Sequence, residues 1–171
     1  TTTGLNLTHQ FSYGTNGAGE LTKVTFPYGG YLEWEHASLT LSGGRVHREV
    51  QNRYLAKTAS ATKTRHTLYR DAGDVNRTIH IGAWLEDAGA PGMKKWGFLW
   101  SGTGDWYDGL QQHYEDMPAS WTTPGTRLQE FTWARDAGLN PFISTATTTL
   151  NPGQSYVKVS KVEQTLDGYG W

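Results

Sequence analysis

The sequence predicts an all-β protein: an antiparallel sheet of about ten strands with at most one short helix. Three observations carry this. The chain holds 21 glycines, 8 tryptophans and 9 tyrosines, with many threonines. Glycine serves turns, and Thr, Tyr and Trp fit pleated strands. Residues Gly19 to His36 alternate apolar and polar on both sides of a Pro-Tyr-Gly-Gly turn, as a half-buried hairpin does. Turn signals then recur at short intervals, including Pro-Gly pairs at Pro91, Pro124 and Pro152. Such a chain covers its apolar surface as a sandwich, an open barrel or a curved sheet, here in a single β-rich domain over residues 1–171.

Leu5 to Tyr13 reads as a first strand, and Gly14 to Gly19 as a glycine-rich turn. In the hairpin that follows, Thr22, Val24 and Phe26 alternate with Leu21, Lys23 and Thr25; Leu32, Trp34 and His36 alternate with Tyr31, Glu33 and Glu35. A loop of Tyr28, Gly29 and Gly30, with Gly30 left-handed, would set Phe26 opposite Leu32, Val24 opposite Trp34 and Lys23 opposite Glu35. That register gathers the apolar residues on one face and an opposite-charge pair on the other. Val24, Phe26, Leu32 and Trp34 are then the expected buried side.

Ala37 to Leu41 continues the second arm to a turn at Ser42-Gly43-Gly44, and Arg45 to Lys57 is a long strand. Ala59 to Thr62 is a loop, Thr64 to Arg70 a strand, Asp71 to Asp74 a turn and Arg77 to Asp87 a strand. The Pro-Gly pairs, each with Pro second and Gly third, suit type II turns. They separate strands at Lys95–Trp100, Arg127–Arg135, Phe142–Leu150 and Tyr156–Leu166. Gly109 to Met117 is the one helix candidate, with Leu110, His113, Tyr114 and Met117 spaced by three or four.

Composition limits the partners. With 15 basic and 16 acidic residues the formal net charge is -1, which favours neither nucleic acid nor an anionic membrane surface. There is no cysteine, so disulfides and thiolate zinc sites are excluded. No apolar run approaches the roughly 18 residues of a membrane span, so no membrane insertion is expected. The first residues carry no signal-peptide pattern. Histidines at 9, 36, 47, 66, 80 and 113 form no His-x-His or His-Glu-x-x-His motif, and no EF-hand loop, P-loop, dinucleotide fingerprint or Gly-x-Ser-x-Gly elbow occurs. No metal or cofactor is expected, and the oligomeric state is left open.

The hairpin pattern Gly-x-Leu-Thr-x-Val-x-x-Pro-x-Gly-Gly at Gly19–Gly30 resembles the repeat unit of RHS/YD-repeat proteins. Gln164 to Gly170 is similar to a second repeat signature, with Leu166-Asp167 where the family has Tyr-Asp, and Phe11-Ser12-Tyr13 is a partial third. Ser42–Arg45, Arg48–Tyr54 and Leu150–Tyr156 resemble the stretches between repeats in bacterial RHS-core proteins. The resemblance implies hairpins stacked into a long spiralling sheet, used as a shell around a secreted toxin or as a surface module contacting carbohydrate. It also implies a bacterial extracellular or cell-surface location, and a chain that is a fragment of a longer repeat protein.

Two sets of residues could carry chemistry. Glu33 and Glu35 share a strand face with Cα atoms about 6.6–6.8 Å apart. Glycosidases hold their carboxyl groups roughly 5–5.5 Å apart when retaining and about 6.5–9.5 Å when inverting. With Tyr31 on the same face to support a sugar, the pair loosely resembles that of jelly-roll glycosidases. Otherwise it is the solvated side of a hairpin, with Lys23 pairing to Glu35. Glu49, Glu115, Asp116 and Glu130 are further carboxylates that could complete a cleft. The second set is aromatic. Trp96, Phe98 and Trp100 form a stripe of period two that is either core or a platform for sugar rings, while Trp106 and Tyr107 follow in a glycine-rich loop suited to exposed rings. The expected function is non-catalytic glycan binding through exposed aromatics. A small glycoside hydrolase and a purely structural segment are the alternatives.

Overall fold

The computed structural model describes residues 7–87, 90–118 and 123–166, and the strands form one open antiparallel sheet. Eleven strands lie side by side in chain order: β1 (Gln10–Tyr13), β2 (Leu21–Thr25), β3 (Tyr31–Thr40), β4 (Val46–Ala56), β5 (Thr64–Arg70), β6 (Gly82–Asp87), β7 (Ala90–Phe98), β8 (Gln111–Asp116), β9 (Arg127–Arg135), β10 (Pro141–Leu150) and β11 (Lys158–Glu163). The all-β antiparallel expectation holds, as one open sheet and not a sandwich; β1 and β11 do not meet to close a barrel. Leu5, the 167–170 part of the second repeat signature and Trp171 lie outside the described residues.

A single layer buries little. Among the described residues only Val24, Tyr31, Leu41, Ala56 and Trp84 are buried hydrophobics. The accessible surface is 11212 Å², against roughly 8,400 Å² for a compact monomer of this mass. Cohesion therefore rests on the backbone ladders and on side-chain pairs across them.

The opening hairpin has a three-residue loop, but one position earlier than predicted. Phe26 N donates to Gly30 O at 2.7 Å and Gly29 N to Phe26 O at 2.9 Å, so the loop is Pro27-Tyr28-Gly29. Pro27 fits the first loop position, where its fixed φ is an asset and no ladder donor is lost. Gly29, at φ 85°, takes the left-handed place assigned to Gly30. Gly30 is instead needed for space, because a Cβ there would stand 2.8 Å from Lys57 O.

Moving the loop by one residue changes the pairing by two. Lys23 faces Glu33, Val24 faces Leu32 and Thr25 faces Tyr31. A shift of two preserves which residues share a face, so the predicted division survives while the partners change. Burial does not follow that division: Tyr31, on the glutamate side, is buried, whereas Phe26, Leu32 and Trp34 are half-buried. Lys23 lies 4.0 Å above the Tyr31 ring instead of pairing with Glu35.

Glu20 ties the first hairpin to β4. Its carboxylate accepts from Arg48 Nε at 2.7 Å and Arg48 Nη2 at 3.0 Å, and from Asn16 Nδ2 at 2.9 Å. A bidentate guanidinium pair combines charge with fixed geometry. Farther on, a bulge between Glu35 and His36 offsets β3 from β4, and pairing of β4 with β5 is confined to Asn52–Leu55. A 3₁₀ turn at Ser42–Gly44 then docks on a second at Ala72–Asn76, with Ser42 N donating to Arg77 O at 2.8 Å.

Three further expectations are corrected. No helix forms at Gly109–Met117: Gln111–Asp116 of that segment is strand β8, flanked by β7 and β9, with Tyr114 set against Trp96 and His113 over Gly97. A Cβ on Gly97 would lie 2.0 Å from His113 Cε1, so the glycine makes the seat for that ring. The strand predicted from Arg77 begins only at Gly82, because buried Asp74 holds the preceding segment through Ile81 N at 2.9 Å. Of the Pro-Gly pairs, Pro91-Gly92 lies within β7. Gly125 has no positive φ, and a Cβ there would meet Asp116 O at 2.2 Å. Only Asn151–Gln154 forms the expected turn, with Gly153 at φ 79° and Gln154 N donating to Asn151 O at 3.1 Å.

Two outcomes follow. Gly30→Ala should lower stability by about 1–3 kcal/mol, the usual cost of overpacking against backbone that cannot retreat, measured as a shift in the urea midpoint. Arg48 holds the Glu20 carboxyl down to about 2 from its ordinary 4.5. A depressed carboxyl stabilises above its unfolded value and loses that contribution as pH falls toward its folded one. Arg48→Gln should thus flatten the stability loss between about pH 4.5 and 2, read from urea unfolding at stepped pH.

Candidate functional site

The two predicted carboxylates are held by neighbours. Glu33 accepts from Lys63 Nζ at 2.7 Å, and Lys63 also lies 4.7 Å above the Tyr54 ring. Glu35 accepts from Asn52 Nδ2 at 2.8 Å and from Tyr54 OH at 2.9 Å, which raises the Tyr54 phenol above its ordinary range. Tyr31 is buried under Lys23 and offers no open ring face to a sugar.

The other carboxylates are engaged with different partners. Glu115, 7% exposed, meets Lys95 Nζ at 2.8 Å. Asp116 bridges Lys94, Arg127 and Tyr114. Glu130 lies opposite His113, whose burial pushes its imidazole below the ordinary value. Glu49 belongs to a network with Arg70 and His80.

The aromatic residues divide between two places. Trp96 is half-buried and packs at 51° to Tyr114, centroids 5.8 Å apart. Trp100 lies beyond the end of β7, 41% exposed, with the Arg77 guanidinium 4.4 Å above its ring. The predicted stripe is therefore broken by the end of the strand.

Trp106 and Tyr107 sit together in the β7–β8 connection as an edge-to-face pair, centroids 5.6 Å apart. The Arg135 guanidinium lies 4.6 Å above Trp106, a cation–π contact that fixes the indole. The loop is pinned by its own polar groups: Ser101 N and Oγ bond Asp108, and Tyr107 OH donates to Asp105 Oδ2 at 3.1 Å. Both rings face an open groove of about 310 Å³ completed by Leu99, Gln112, Phe131, Thr132 and Trp133. Trp133 is itself oriented by donating from Nε1 to Gln111 O at 2.7 Å. This is the candidate binding groove. Phe131, Thr132 and Trp133 were not legible as members because they come from β9, a strand farther along the chain, and Gln112 because only its place on β8 beside β9 brings it to them.

Sequence reading also missed a polar network. His80 Nδ1 stands 2.8 Å from Asp74 Oδ2, and His80 Nε2 stands 2.5 Å from Glu49 Oε1. Glu49 Oε2 accepts from Arg70 Nε at 2.6 Å. Asp74 is fully buried and accepts from Ile81 N through its other oxygen. The members are spread over residues 49 to 80 with no recognisable spacing. They meet because the two 3₁₀ turns dock.

Comparison of the chain with protein-family models, curated proteins and solved structures finds no match.

The hydrogen bond to Asp105 raises the Tyr107 phenol above its ordinary value of 10, and hydrogen bonds from Thr103 and then Tyr107 lower the Asp105 carboxyl. In Asp105→Asn the Tyr107 phenolate should form at lower pH, followed by phenolate absorbance against a Tyr107→Phe control.

Proposed function

We propose that this chain is a non-catalytic β-sheet module that binds carbohydrate in the groove between the Trp106–Tyr107 loop and β8–β9. The observation that carries the reading is the convergence of Trp106, Tyr107, Phe131 and Trp133 on one open groove, with Gln112 and Thr132 among them. A sugar ring presents apolar C–H faces to stack on aromatic rings and hydroxyls at its edge for amide and hydroxyl partners. Aromatic side chains supply the area for such contact at little loss of freedom when they are already fixed. Here Tyr107, Trp106 and Trp133 are held by Asp105, Arg135 and the Gln111 carbonyl. The uninterrupted run of hairpins accords with the resemblance to RHS/YD-repeat proteins, and on that resemblance the module belongs to a bacterial surface or secreted protein.

The hydrolase alternative draws less support, since Glu33 and Glu35 have separate hydrogen-bonding partners and the nearby Tyr31 is covered. A purely structural role would leave the groove without a ligand.

The test is retention on immobilised polysaccharides, with reducing-sugar release measured in parallel. Retention of wild type on at least one glycan is expected, reduced at least tenfold in Trp106→Ala and unchanged in Glu33→Gln and Glu35→Gln, without sugar release. Retention that survives both Trp106→Ala and Trp133→Ala would remove the groove. Release abolished by Glu35→Gln would restore the enzyme.

A further inference from the structure

A second cavity, sharing no residue with the aromatic groove, lies where the docked 3₁₀ turns meet the sheet. Its volume is about 510 Å³, within the range of roughly 300–1,000 Å³ usual for small-molecule sites. Leu41, Leu68, Ile79, Ala83, Trp96 and Phe98 give it an apolar wall. The polar wall holds two guanidiniums, Arg45 and Arg70, with His47, Thr78 and His80 and no carboxylate. The carboxylates that orient Arg70 and His80, from Glu49 and Asp74, are absent from the lining, and Asp74 is fully buried.

The charges can be followed one by one. Arg70 is offset by Glu49. No carboxylate pairs with Arg45 among the described residues. His47 packs its ring against His80, centroids 6.4 Å apart, and its Nε2 is covered. Arg45 and His47 are two apart at the start of the β4 segment, both at the cavity. Glu49 faces both Arg70 and His80, and Asp74 faces His80, so these groups are matched among themselves; Arg45 is the guanidinium at the cavity left for a ligand, and a planar carboxylate fits its fork.

We infer that this cavity binds an amphiphilic monocarboxylate, an apolar body seated against Leu68, Trp96 and Phe98 with its carboxylate at Arg45. The site is independent of carbohydrate binding, so either can fail without the other.

Calorimetric titration with decanoate below its micellar range tests the assignment, with decanol as the uncharged counterpart. Decanoate should bind saturably at one site per chain and at least tenfold more tightly than decanol. Arg45→Gln, a change at an exposed position, should weaken decanoate at least tenfold and leave decanol unaltered. Ala83→Leu, which fills the cavity, should weaken both; Leu68→Phe serves the same purpose if Ala83→Leu does not give the wild-type circular dichroism spectrum. Equal affinity for acid and alcohol, indifference of decanoate to Arg45→Gln or to cavity filling, or no saturable binding would overturn the inference.

Discussion

Each strand of this sheet hydrogen-bonds only to strands adjacent to it in the chain, and no second sheet covers either face among the described residues. The backbone ladder therefore carries a share of cohesion that a sandwich would assign to a shared core. Side chains contribute chiefly by bridging strands: Glu20 reaches Arg48 from the β1–β2 connection to β4, Lys63 reaches Glu33 on β3, and Lys95 reaches Glu115 across β7–β8. Contacts between near neighbours in sequence close short loops at small entropic cost.

A one-layer architecture places its binding features where the layer is interrupted. The aromatic groove opens beside the long β7–β8 connection, where the register shifts between Gly97 and Phe98. The amphiphilic cavity opens where the β3–β4 bulge and the short β4–β5 ladder let the sheet part, and where buried Asp74 pins the chain before β6. Both sites pair fixed aromatic rings with a few polar groups. They differ in their polar groups: the cavity wall holds the guanidiniums of Arg45 and Arg70, and the groove offers an amide and a hydroxyl.

Much of the strand inventory was legible because alternation and turn residues act locally. Thr64–Arg70 and Arg127–Arg135 have the boundaries expected of them. Less was legible wherever a residue had two physical uses. Gly29 and Gly30 both suit a left-handed turn position, and only the carbonyl of Lys57 decides which is needed there and which for close approach. Leu110, His113, Tyr114 and Met117 fit a helical period, yet β7 and β9 claim their backbone. Tyr31 reads as a solvent-facing ring until Lys23 covers it.

For the sites the boundary falls similarly. The sequence by itself determined the all-β class, the positions of most hairpins and the exposed character of Trp106, since each depends on residue type within a few positions. Tertiary structure alone decided that Trp106 and Tyr107 share a groove with Phe131 and Trp133, and that Glu49, Asp74 and His80 form one network. Those contacts depend on register shifts, on which neighbour a strand accepts and on two turns docking, each a sum of small interactions between residues far apart in the chain.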